Sequence, residues 1–163
     1  MNRIRDAGGD GLLREYRAVP TFAVFAQPRR REELLRFLRA HRRRAVGWRF
    51  LAPGTVAVAL DEGMGLRVER LGNGGPLEIA ARVCEGSVGF VVYLRDMLTE
   101  PGHDPGFDAL LRACDLHGIP VATNVATATV LFTLQAEHDA QVEAARVRLH
   151  RITRPGDETS DPE

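Results

Sequence analysis

One segment constrains the fold more than the rest of the chain. Between Gly86 and Thr129 the sequence reads as strand, polar loop, helix, turn, strand and polar loop. Val88 to Leu94 is an apolar run rich in β-branched residues, the pattern of a strand covered on both faces in a parallel sheet. Asp96 stands just past its carboxyl end, His103-Asp104-Pro105 follows in the loop, and Phe107 to His117 carries helical periodicity. Gly118 supplies a helix stop, and Ile119-Pro120-Val121-Ala122 opens the next strand. The unit is a βαβ crossover, and open parallel sheets bind ligands where their strands terminate. Thr123, Asn124 and Thr127 bring hydroxyl and amide groups to that same edge.

The chain has 163 residues, 44% of them hydrophobic, and a formal charge of zero, which suits one domain with one sizeable core. Cys84 and Cys114 fall on expected helices among apolar neighbours, and no Cys/His cluster has metal-ligand spacing. A reduced, cytoplasmic protein without metal or cofactor is the expectation. No apolar run approaches membrane-spanning length and the amino terminus does not read as a signal peptide, which argues against membrane insertion. Every lysine or arginine position is arginine, which excludes Schiff-base chemistry through lysine. Arginines crowd between Arg29 and Arg49; such a run reads first as a solvated helix face or a partner surface. Nucleic-acid binding is the lesser reading, since no aromatic interleaving accompanies the run.

Residues 1–19 read as a flexible arm with a short helix at Leu12 to Arg17, 20–152 as the domain, and 153–163 as a disordered tail. Thr21 to Ala26 is the first expected strand, and Pro28 opens a helix from about Arg29 to His41 with Leu34, Leu35 and Leu38 as its apolar stripe. Phe50-Leu51-Ala52 is a second strand, Pro53-Gly54-Thr55 a turn, and Val56 to Leu60 a helix start or a strand. Leu66 to Leu71 is a third strand, Gly72 to Pro76 a loop, and Leu77 to Glu85 a helix with Pro76 in its first turn. Beyond the βαβ unit, Val130 to Gln135 is a short apolar segment and Ala136 to Arg151 a helix.

Gly72 to Pro76 entering a helix has the composition of a phosphate cradle, because exposed amides and the helix dipole favour anions; a tight strand-to-helix turn needs the same glycines. Thr55 is either a phosphate donor or a helix cap. Because imidazole as a group titrates near neutral pH, His103 suits a general acid or oxyanion donor, or else anchors its loop to Asp104 or a backbone carbonyl. Asp96 orients His103, holds an arginine, or caps a turn.

The ten-residue run Ile119-Pro-Val-Ala-Thr-Asn-Val-Ala-Thr-Ala128, the Asp after a hydrophobic strand and the His-Asp-Pro loop together closely resemble the methylglyoxal synthase family. The resemblance implies a single-domain, three-layer, Rossmann-like α/β fold with a central, mostly parallel sheet. It further implies a homohexamer and an enzyme converting dihydroxyacetone phosphate to methylglyoxal and inorganic phosphate. Asp96, His103 and Asp104 match family site residues, Arg31 stands for a phosphate-binding lysine, and a family arginine is supplied by Arg151 or Arg154. Gly54, Thr55, Gly74, Gly75 and Asn124 complete the expected anion-binding set.

Departures concentrate in the amino-terminal half. The family base follows a Gly-Gly pair, and the residue after Gly74-Gly75 is Pro76, which accepts no proton. Glu78, two residues on, is the substitute within reach, or an ordinary first-turn cap. Gln27-Pro28 replaces a family His-Asp, Pro53 and Val56 replace hydroxyl residues, and Gly106 replaces an acid. The leading expectation is a lyase-type enzyme acting by proton transfer and elimination on a small, anionic carbonyl compound, with a changed active site. The alternative is a non-catalytic binding or assembly module on the same fold.

Overall fold

The computed structural model describes residues 21–98 and 104–152, with side chains described as far as 148. The expected arm, its short helix and the tail lie outside the described residues. Five strands, β1 (Thr21–Ala26), β2 (Arg49–Ala52), β3 (Arg67–Arg70), β4 (Phe90–Leu94) and β5 (Val121–Ala122), alternate with helices. These are α1 (Arg31–His41), entered through a 3-10 turn at Pro28–Arg30, then α2 (Gly54–Met64), α3 (Gly75–Cys84), α4 (Pro105–His117) and α5 (Val125–Ile152). Every described strand pairing is parallel, and the order is β3-β2-β1-β4-β5.

Period-two alternation divides the sheet between two cores. Phe22, Val24, Phe50, Phe90 and Val92 face one side with Leu34 and Leu38 of α1, Leu60 of α2 and Phe132 of α5. Ala23, Leu51, Val91 and Tyr93 face the other with Ile79 of α3 and Phe107 and Leu110 of α4. The result is the expected three-layer α/β sandwich. Phe22 anchors the first core, stacked on Trp48 at 4.6 Å and on Phe90 at 4.7 Å between ring centres. Trp48 Nε1 donates to Asp139 Oδ2 at 2.7 Å, which ties α5 to the segment before β2.

Several boundaries differ from the sequence reading. Pro53-Gly54-Thr55 is not a free turn: Pro53 is the N-cap of α2, whose first residues are Gly54 and Thr55, and Val56 to Leu60 is helical. Val125 to Gln135 is neither polar loop nor separate segment but the start of α5. Asn124 Oδ1 accepts from Thr127 N at 2.9 Å, and Thr129 Oγ1 donates back to Val125 O at 2.8 Å. Thr129 is accommodated because its hydroxyl bonds within the helix, and Thr127 because Asn124 caps its N–H. Cys84 is exposed rather than set among apolar neighbours, whereas Cys114 is buried. The arginine run is partly engaged internally: Arg42 Nε donates to Met64 O at 2.6 Å, Arg44 Nη1 to Thr133 Oγ1 at 3.3 Å, and Arg30 pairs with Glu33 at 2.9 Å. Among the described residues no helix is long and apolar enough to cross a membrane.

Because the chain steps outward from β1 to β2 and β3 and then returns to β4 on the other side of β1, the strand order reverses between β1 and β4. The crevice beyond the carboxyl ends of those two strands is where a doubly wound sheet binds ligand.

Candidate functional site

Asp96 occupies that crevice. Its backbone N–H donates to Oε1 of Gln27, which follows β1, and the Gln27 N–H donates to Leu94 O at 3.0 Å. Gln27 is 5% exposed, so a residue that reads from sequence as a lost family group instead stitches β1 to β4 where they diverge. Asp96 Oδ1 accepts from Leu98 N at 3.2 Å, and Oδ2 lies 4.0 Å from Arg29 Nε. Two of the three roles open to Asp96, turn cap and arginine partner, are therefore filled by one side chain. That side chain is 11% exposed and stays at the mouth of the crevice.

Asp104 is the N-cap of α4. Its Oδ1 accepts from Gly106 N at 3.0 Å and Phe107 N at 3.1 Å, while Oδ2 accepts from the buried Tyr93 hydroxyl at 3.2 Å. Tyr93 stacks on Phe25 at 4.8 Å, and Phe25 Cε2 lies 4.0 Å from the position a Gly75 Cβ would take. A Cβ on Gly106 would meet Pro76 Cβ at 3.5 Å. These contacts close a ring from Gly75 through Phe25, Tyr93, Asp104 and Gly106 back to Pro76. The ring puts the Gly-Gly-Pro corner against the start of α4.

Glu78 folds back over the glycine loop, with Oε1 accepting from Gly72 N at 3.0 Å and Oε2 from Gly74 N at 3.4 Å. A Cβ on Gly74 would stand 2.9 Å from Glu78 Cβ, so the close approach requires glycine. Gly75 has φ +54°, a left-handed conformation that also selects glycine. Two amides that read as part of an anion cradle, those of Gly72 and Gly74, are thus turned toward a carboxylate of the chain itself.

At the other end of the edge, α2 starts at Gly54. Val56 N and Ala57 N both bond to Pro53 O, and the Gly54 and Thr55 amides precede them at the positive end of the helix dipole. Arg70, the last residue of β3, crosses Gly54: its Cδ lies 3.8 Å from where a Gly54 Cβ would be. Arg70 escaped the sequence reading, although a cation closing a strand immediately before a glycine loop was the available signal. Arg31 begins α1, half-buried, and forms no ion pair with another described residue. Arg95, also missed, lies over the Phe107 ring at 4.2 Å from its centre, and its Nε is buried without a partner among the described residues.

The parallel sheet therefore brings Gln27, Gly54, Thr55, Arg70, Gly74, Gly75, Asp96 and Asn124 to a single edge, with Asp104 joined to it through Tyr93. Asn124 spends its carbonyl oxygen on the α5 cap. His103, Arg154 and the side chain of Arg151 lie outside the described residues. No cluster of His, Cys, Asp or Glu able to hold a metal is present among the described residues.

No family model matches the chain. It is 36% identical over 125 residues to the methylglyoxal synthase of Moorella thermoacetica, an alignment covering 75% of this chain and 98% of that protein. It is 41% identical over 117 residues to the methylglyoxal synthase of Burkholderia thailandensis, covering 70% and 90% respectively. The crystal structure of methylglyoxal synthase from Elizabethkingia anophelis NUHP1 superposes with a TM-score of 0.62 at 23% identity. That superposition covers 69% of this chain and 76% of the other.

Proposed function

The chain belongs to the methylglyoxal synthase family, and from that premise we propose that it acts as a carbon-oxygen lyase on a small phosphorylated carbonyl compound. Asp96 takes the proton, and His103 with Arg151 or Arg154 steadies the oxygen of the enediolate. Arg31, Arg70 and the Gly54 and Thr55 amides grip the phosphate. A carbon-bound proton beside the carbonyl passes to the carboxylate, charge collects on the carbonyl oxygen, and the carbon-oxygen bond to phosphate breaks with both electrons leaving on phosphate. The observation that carries this reading is the placement of Asp96, a little-exposed carboxylate at the strand-order reversal, with its backbone fixed by Gln27. Glu78 is the weaker base, because reaching substrate requires it to release Gly72 and Gly74. Asp104 supports the site through the α4 cap and Tyr93. The homohexamer implied by the resemblance forms part of the same proposal, and a monomeric mass by light scattering removes it.

A second reading, a binding or assembly module without turnover, is favoured by Pro76 and by the engagement of Glu78. Incubation with dihydroxyacetone phosphate, with methylglyoxal and inorganic phosphate both measured, separates the two. The lyase reading expects equal amounts of both products and a loss of about a hundredfold in Asp96→Asn, the lower end of what a positioned base contributes. Release no faster than in buffer, together with saturable calorimetric heat for the same compound, leaves the binding module. Release unchanged by Asp96→Asn removes Asp96 as the acceptor.

A further inference from the structure

The opposite edge of the sheet carries a second basic site. Thr21, Arg49 and Arg67 are the first residues of β1, β2 and β3, and they stand in direct register, Thr21 against Arg49 and Arg49 against Arg67. Ala23 and Leu51, two residues further along their strands, pack in the core beneath α3 and α4. By strand alternation Thr21, Arg49 and Arg67 therefore lean toward that same side. Together with Glu69, Arg82 near the end of α3, and Ser87, they line a cleft of about 260 Å³.

The charges in this cleft do not balance. Arg82 Nη2 is bonded to Glu69 Oε1, which satisfies one arginine with the one acid that lines the cleft among the described residues. Arg49 and Arg67 remain, side by side on strands roughly 4.8 Å apart, an arrangement of like charges that disfavours the sheet. A dianion between them would reverse the sign of that interaction, and two guanidinium forks present the paired donors that tetrahedral oxyanions accept. The volume falls just under the range of drug-sized pockets, about 300–1,000 Å³, so it admits a phosphate group with a short carbon skeleton. Four-residue strands put it roughly 10–13 Å from the carboxyl edge, too far for one small ligand to touch both.

We propose that this amino-edge cleft is a separate binding site for a small phosphate dianion, held by Arg49 and Arg67 with Thr21 and Ser87 as hydroxyl partners. The source is either inorganic phosphate or the phosphate monoester of a short polyol. The inference is independent of the proposed lyase activity, because no residue of the cleft belongs to the carboxyl-edge site.

Calorimetric titration of the full chain with inorganic phosphate, and separately with glycerol phosphate at ionic strength held constant by chloride, tests it in defined backgrounds. Arg31→Gln with Arg70→Gln weakens the carboxyl-edge grip, and saturable phosphate heat is expected to persist there. Adding Arg49→Gln with Arg67→Gln is expected to weaken that remaining affinity at least about tenfold, ~1.4 kcal/mol. Arg49→Lys with Arg67→Lys, which keeps the charge but not the paired donors, is expected to recover only part of it. Since Arg49 and Arg67 are exposed, the fold tolerates these changes, and an unchanged circular dichroism spectrum verifies it. The relative heats of the two ligands distinguish the sources. No saturable heat in the Arg31→Gln, Arg70→Gln background, or equal binding after Arg49 and Arg67 are both replaced, overturns the proposal. Neither result bears on the proposed lyase activity, which is tested on product release by the unsubstituted chain.

Discussion

The two halves of the carboxyl edge are built on different principles. Where β4 and β5 end, the polar side chains have partners: Asp104 two α4 amides and the Tyr93 hydroxyl, Asp96 the Leu98 amide and Arg29, and Asn124 an amide of α5. Where β2 and β3 end, the edge consists of glycine backbone, the first amides of α2 and the cation Arg70. Its acid among the described residues, Glu78, is turned inward on the loop. A carboxylate held in place orients a proton transfer, whereas amides and arginines hold an anion whose shape varies. The contrast teaches that one half of the edge offers fixed carboxylates while the other offers backbone amides and positive charge.

The largest expected effect adds a second carboxylate to the half that offers only amides and positive charge. Pro76→Asp puts a carboxylate at the Gly-Gly corner, against the start of α4, and is expected to raise methylglyoxal release from dihydroxyacetone phosphate about a hundredfold. No gain breaks the comparison, because it means that the corner itself, and not one missing group, has changed. Next comes Asp104→Ala, which removes a helix cap worth about 1 kcal/mol and strands a buried phenol at about 1–3 kcal/mol. A total near ~3 kcal/mol is expected in urea unfolding, with Asp104→Ser recovering the cap portion only.

Glu78→Ala is expected to cost less, about 1 kcal/mol, and to speed hydrogen exchange at the Gly72 and Gly74 amides while leaving those of Gly106 and Phe107 unchanged. Equal acceleration at both loops would mean the halves are not mechanically distinct. The smallest effects separate the halves by pH. Burial, and after it Asp115 and Cys84, push the Cys114 thiol on α4 up from 9.0 to about 11. The unfolded chain loses that proton first, so stability is intact below pH 9.0 and declines as pH rises toward 11. On α1, burial and then Arg44 lower the His41 pKa below 6.5. The unfolded chain then gains that proton first, and stability declines as pH falls below 6.5. Urea midpoints across pH, with Cys114→Ala flattening the alkaline arm and His41→Leu the acid arm, check both signs.

Legibility followed range in sequence. The strands from Thr21 and toward Leu94 were plain because their apolar runs need no partner to be recognised. The start of α5 was hidden, since Thr127 and Thr129 disfavour a helix until their bonds to Asn124 and Val125 are counted. Gln27 read as a loss, because nothing local says that its amide will bridge to Asp96, 69 residues away. Glu78 was legible as a candidate, but whether it faces substrate or its own loop depends on how closely Gly72 and Gly74 approach it.

What the sequence determined alone is the parallel α/β architecture, the family, and the fact that Pro76 cannot take a proton. Those follow from local chemistry: residue pattern, covalent structure and ionisable groups. The tertiary structure decided which carboxylates are already engaged, that Arg70 reaches over Gly54, and that Arg49 and Arg67 stand abreast at the far edge. Each of these is set by strand register and helix docking, which bring together groups whose separation along the chain carries no information about their distance in space.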